Sequence, residues 1–198
     1  MTADAVQQTL PLHVLGIAGS LRASSHNRAL LRAAQELAPR DMTIVTFELD
    51  AIPPYNADVE AQGFPEPVVA FKAAIAAADA LLIATPEYNH SVPGVLKNAL
   101  DWASRPPGKS PLDGKPAAIL GASTGAIGTA RAQQHLRLVC SYVNLLVMNL
   151  PEVFVARAQD KFDANGRLTD EPTRQFLARF LQVFQQWVAR VGNVQTRG

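Results

Sequence analysis

Ala80-Leu81-Leu82-Ile83-Ala84-Thr85-Pro86-Glu87-Tyr88-Asn89-His90-Ser91-Val92-Pro93-Gly94-Val95-Leu96 is the stretch whose reading decides the fold. Ala80 to Ala84 form a short, unbroken apolar run, the pattern of a strand covered on both faces. Pro86 stops that run because it cannot donate to a sheet ladder. Polar residues follow, then a helix for which Ser91 is the expected cap and Pro93 a first-turn residue. In a parallel sheet, a strand followed by an exposed loop and a helix places that loop at the carboxyl edge, where ligands bind. Glu87, Tyr88 and Asn89 can there offer backbone amides and side chains to a flat polar ligand. An ordinary connection, with Asn and Pro serving turn chemistry, is the alternative that the stretch alone leaves open.

Working outward, Leu12 to Ala18 read as a first strand that breaks at Gly19, with a helix from Ala29 to Leu37 closed by Pro39. Met42 to Phe47, with alternating β-branched residues, form a second strand. Asp50 to Pro67 carry four prolines and read as a long loop, and Val68 to Ala78 as an alanine-rich helix. Beyond the central helix, Arg105 to Pro116 are rich in Pro, Gly and Lys and belong on the surface. Ala117 to Gly121 form a fourth strand, followed by a helix ending at Ser141. Asn144 to Asn149 make a fifth strand, which Val153-Phe154-Val155 extends. Pro172 opens the last helix, whose Phe176, Phe180, Val183, Phe184 and Trp187 fall on one stripe.

Strands and helices that alternate in this way require right-handed crossovers and a parallel sheet between helical layers. Five strands favour a doubly wound α/β domain of flavodoxin-like order 2-1-3-4-5, with helices on both faces. The expected domain covers residues 12–191, preceded by a frayed tail over residues 1–11. This order brings the loops after the first, third and fourth strands to one rim.

The 198 residues suit one domain, and 48% hydrophobic content supplies a core. A formal net charge of +1 argues against electrostatically driven nucleic-acid binding. No apolar run is long enough to span a bilayer, and the first eleven residues lack the basic start and apolar core of a secretory signal. A cytoplasmic location is the default expectation. Cys140 is the only cysteine, so neither an internal disulfide nor a cysteine metal cluster is expected. The four histidines are scattered without a carboxylate-rich constellation, and no metal site is expected. Lys97 and Asp101, four apart, read as a helix ion pair.

Two further loops carry chemistry. Ser20, Arg22, Ser24, Ser25 and Asn27 stand beside a helix start, where unpaired amides and the positive dipole end favour an anion. Arg22 adds a fork that matches phosphate. The loop lacks both the lysine of a nucleoside-triphosphate cradle and the G-x-G-x-x-G of a dinucleotide fold. Gly121-Ala122-Ser123-Thr124-Gly125 formally matches the G-x-S-x-G nucleophile elbow. A hydrolase of that kind needs an acid and then a histidine downstream, yet His135 is the last histidine and every later carboxylate follows it. A glycine-rich turn that lets backbone approach a ligand is the better account.

Together these segments make the chain resemble the NADPH-dependent FMN reductase family, which includes quinone, chromate and azo-dye reductases. The resemblance rests on Gly19-Ser20-Leu21-Arg22 with Ser25 and Asn27, on Pro86-Glu87-Tyr88-Asn89 through Trp102, and on Ser123-Thr124-Gly125 with Gly128. It implies that Ser20, Arg22, Ser25 and Asn27 hold the phosphate of FMN. Pro86, Glu87, Tyr88 and Asn89 would line the ribityl chain and the polar edge of the ring. Ser123, Thr124 and Gly125 would approach from the other side. It also implies ping-pong chemistry, with hydride passing from NADPH or NADH to flavin N5 and two electrons then passing to a quinone, azo compound, chromate or similar acceptor. The cofactor carries that chemistry, and no catalytic residue is assigned. A homodimer or homotetramer using the helices after the second and third loops is implied as well. Two other readings stay open: a flavin reductase feeding reduced FMN to a monooxygenase, and a flavodoxin-like electron carrier. Such carriers are strongly acidic, whereas this chain is near neutral.

Overall fold

The computed structural model describes residues 11–195. Apart from Pro11, the expected frayed tail lies outside the described residues. The chain runs β1 (Leu12–Ala18), α1 (His26–Leu37), β2 (Met42–Phe47), α2 (Ala57–Gln62), α3 (Glu66–Ala77), β3 (Ala80–Ala84) and α4 (Gly94–Ala103). It continues with β4 (Pro116–Ala122), α5 (Ala130–Tyr142), β5 (Leu146–Val147), β6 (Val153–Val155) and α6 (Glu171–Gln195). The strands are parallel in the order β2-β1-β3-β4-β5, and β6 also pairs with β4. This is the expected flavodoxin-like doubly wound sheet.

Strand alternation splits the core in two. Val14, Ala18, Leu82, Ala84 and Leu120 face Leu30, Leu177, Phe180 and Phe184 of α1 and α6. Leu15, Ile17, Leu81, Ile83 and Ile119 face Phe71, Ile75, Leu96, Leu100, Trp102 and Leu136 of α3, α4 and α5. All five residues of β3 are fully buried, as its unbroken apolar run required. Phe176 departs from the stripe expected on α6: it is exposed, and Leu177 and Leu181 take the inner positions.

Several local expectations are corrected. The proline-rich loop contains α2, whose start Asn56 caps by accepting from the Asp58 amide at 2.8 Å. The fifth strand is much shorter than residues 144–149 and resumes only after Pro151, as β6 beside the far end of β4. Trp187 of α6 donates its indole N–H to the Leu146 carbonyl at 2.9 Å. No helix among the described residues is long and apolar enough to cross a membrane.

Candidate active site

β1, β3 and β4 end side by side, and the three loops that follow them are fastened to one another. The Gly19 amide donates to Ala84 O at 2.8 Å, and the Thr85 amide to Leu120 O at 2.9 Å. A Cβ on Gly19 would lie 2.9 Å from Pro93 Cγ and 3.1 Å from Pro86 Cδ, so only glycine lets the first two loops approach this closely. Gly121 is tighter still: its Cβ would meet Thr129 Oγ1 at 1.9 Å and the Thr85 carbonyl at 2.5 Å.

In the first loop, Ser25 is the N-cap of α1, accepting from the amides of Asn27 and Arg28. Ser20 and Ser25 are buried, whereas Arg22 is exposed. Arg22 contacts the Ser24 hydroxyl at 3.3 Å and has no carboxylate partner among the described residues. Asn27 is 3% exposed, and its amide group both donates to Ala122 O and accepts from Ala122 N, at 2.9 Å each. The structure thus gives Asn27 a partner in β4. His26, first residue of α1, packs against Phe162 with ring centroids 5.4 Å apart and ring planes inclined at 41°. Burial, and then the Arg22 charge, push its pKa below the ordinary value.

The second loop is a tight hairpin. Tyr88 and Ser91 exchange backbone hydrogen bonds of 3.2 and 3.0 Å. Asn89 and His90 between them have φ of 50° and 62°, the pair of left-handed residues a type I′ turn demands. Ser91 is therefore committed to the hairpin and to His135, whose Nδ1 lies 3.0 Å from its hydroxyl. The expected Ser91 cap does not form: Pro93 occupies the N-cap of α4, with no side-chain hydrogen bond to that end. Pro86 is buried, Tyr88 is 48% exposed, and Glu87 turns its carboxylate onto α5, where Oε2 accepts from the amides of Arg131 and Ala132 at 3.0 Å each.

The remainder of the long motif braces the fold. Lys97 and Asp101 form the expected ion pair at 2.7 Å. Asn98 accepts from Tyr55 N at 2.7 Å and donates to Pro53 O at 2.8 Å, where the Trp102 indole N–H also donates at 2.9 Å.

In the third loop, the Ser123 hydroxyl accepts from the Gly125 amide at 3.0 Å, and its backbone is pinned to Val155 and Ala158. Thr124 and Gly125 are exposed. His135 is paired with Ser91 rather than Ser123, which removes the nucleophile-elbow reading. Arg131, whose Nη1 lies 3.1 Å from His90 Nε2, is the participant that the sequence did not single out. It stands 44 residues from Glu87, and only the topology reveals that they meet.

These residues give the rim two helix N-termini of opposite state. That of α5 already holds a carboxylate, whereas that of α1 is flanked by hydroxyls and an uncompensated guanidinium. The donor set around α1 fits a phosphate monoester.

Comparison with known proteins agrees with this geometry. The family model for NADPH-dependent FMN reductase matches residues 12–160. The chain is 54% identical to an NAD(P)H-dependent FMN reductase of Pseudomonas aeruginosa, over 91% of this chain and 97% of that one. It is 49% identical to a 2-hydroxy-1,4-benzoquinone reductase of a Burkholderia species, over 90% and 97% respectively. Among solved structures, it matches the flavoenzyme NAD(P)H:(acceptor) oxidoreductase of Paracoccus denitrificans with a TM-score of 0.84 and 39% identity, covering 90% of this chain and 98% of that one.

Proposed function

Because the chain belongs to the NADPH-dependent FMN reductase family, we propose that it carries two electrons from NAD(P)H to a small quinone-class acceptor at the rim of its sheet. FMN, when bound, supplies the two-electron chemistry. The observation that carries the reading is the donor set at the start of α1, where Arg22 has no carboxylate partner among the described residues. Ser20, Ser25 and Arg22 would hold the phosphate: hydroxyl hydrogens donate, and the guanidinium adds a charge-assisted fork. Asn27 works one step behind, fixing α1 to β4 so that these donors keep their positions. The 86–89 backbone would line the ribityl chain and polar ring edge, and Ser123, Thr124 and Gly125 the opposite side. Tyr88, half exposed, would form the wall against which nicotinamide and acceptor are placed in turn. No side chain is assigned a proton-transfer role.

A homodimer or homotetramer belongs to the same reading. Leu138 and Tyr142, 75% and 92% exposed on α5, flank a cleft of about 560 Å³ shared with Lys97 and Asp101 of α4. Apolar exposure on this scale supports a second copy seated here. A cytoplasmic location, beside the cell's nicotinamide pool, fits the single buried Cys140.

The decisive experiment is the absorbance spectrum of the pure protein, followed by NADPH addition under argon and then a benzoquinone. A flavin band that bleaches and returns is expected. Colourless protein that ignores added FMN overturns the reading.

A further inference from the structure

A helix that begins in a crowded rim needs something to satisfy its first amides. For α5 the local sequence supplies only the Ile127 carbonyl, which accepts from the Ala130 amide at 3.4 Å, and no side chain. Its N-cap residue Thr129 makes no capping bond, its hydroxyl being engaged by Gln133 Nε2 at 3.0 Å, and the first turn contains no acidic residue. The acceptor comes from another loop altogether. Glu87 Oε2 takes the amides of Arg131 and Ala132, placing a carboxylate at the positive end of the α5 dipole. Two weaker contacts run alongside, His90 to Arg131 at 3.1 Å and Ser91 to His135 at 3.0 Å. The 86–91 hairpin is thus clasped along the first turns of α5, and Glu87 is the member that engages the helix backbone itself. Through it the second loop is tied to the start of α5, the helix into which the third loop leads.

We propose that Glu87 is a positioning residue: its side chain holds the two loops flanking the flavin at fixed separation and makes no contact with the flavin itself. This rests on the FMN reading given above. One of the four residues that the family resemblance places along the ribityl chain and ring edge would thus act through α5 with its side chain.

The test uses Glu87→Ala, which removes the acceptor, and Glu87→Gln, which keeps one carbonyl oxygen at the same reach. In flavin-free protein, amide hydrogen exchange at Arg131 and Ala132 should quicken about tenfold or more in Glu87→Ala and much less in Glu87→Gln, as a lost charge-assisted bond implies. In FMN titrations, Glu87→Ala should bind about tenfold more weakly, with Glu87→Gln between it and wild type, and the visible circular dichroism of the bound flavin should change. Should Glu87→Ala fail to fold, the same readouts on Glu87→Gln decide. Wild-type FMN affinity and dichroism in a folded variant whose exchange at those two amides has quickened would overturn the positioning role and leave the FMN reading standing. Unchanged exchange would overturn the clasp itself. Wild-type protein that binds no FMN would overturn the FMN reading and the positioning role with it.

Discussion

Asn27 and Ala122, 95 residues apart, exchange two hydrogen bonds of 2.9 Å in a site closed to solvent. One side chain thereby fastens the start of α1 to the end of β4. Asn27→Ala strands the Ala122 N–H and C=O without partners, at about 1–3 kcal/mol for each group left unsatisfied. A lowered melting temperature for the flavin-free protein is expected, measured by calorimetry. An unchanged melting curve would mean that these bonds contribute nothing net.

Arg22 behaves in the opposite manner, because it is exposed and supports little of the fold. Arg22→Ala should leave the flavin-free melting temperature in place while weakening FMN binding by about 1.5–3 kcal/mol, the range for a hydrogen bond to a charged group. Isothermal titration with FMN gives both affinities. Equal values would remove Arg22 from the phosphate site.

His26 reports on the same place through pH. Its pKa is held below 6.5, first by burial and then by Arg22, so the folded protein favours the neutral ring. A group depressed on folding contributes stability that is present above its unfolded value of 6.5 and is lost as pH falls through the folded value. Melting temperatures of flavin-free protein should therefore start to fall below that pH, and His26→Gln should flatten the fall. A phosphate dianion bound beside Arg22 offsets the guanidinium charge, so FMN should raise the His26 pKa. Titration of the ring proton by NMR, with and without FMN, checks the direction.

Asp170 governs a separate, more acidic window. Hydrogen bonds from Lys161 and then Thr173 hold its carboxyl at about 2, and Lys161 Nζ lies 2.8 Å away. Its contribution is present above the unfolded value of 3.8 and lost as pH falls through about 2. Asp170→Asn should lower stability at neutral pH and shrink its dependence on pH between those values, read from denaturant midpoints at a series of pH values. Parallel curves for the two proteins would contradict the assignment.

The sheet was legible because β3 has to be apolar at every position when helices cover both faces, and Ala80 to Ala84 satisfy this without exception. The loops could be named for a related reason, since topology fixes which connections share a rim. What escaped were pairings between distant residues. In sequence Glu87 reads as facing a ligand, because nothing in its own neighbourhood announces an acceptor for amides 44 and 45 residues away. Ser91 has the residue type and spacing of a cap, yet the left-handed conformations of Asn89 and His90 turn it into a hairpin partner. The fifth strand is shorter than its apolar run, since such a run conveys burial and does not reveal where the ladder stops.

The interruption between β5 and β6 has a bearing on how copies of this chain can meet. That flank presents two residues, a gap and then three, and one of the Leu146 carbonyl's positions is already taken by the Trp187 indole. A stray extended peptide finds no continuous row of donors and acceptors to template on. Growth of the sheet by addition of a strand from another copy is therefore disfavoured on this side.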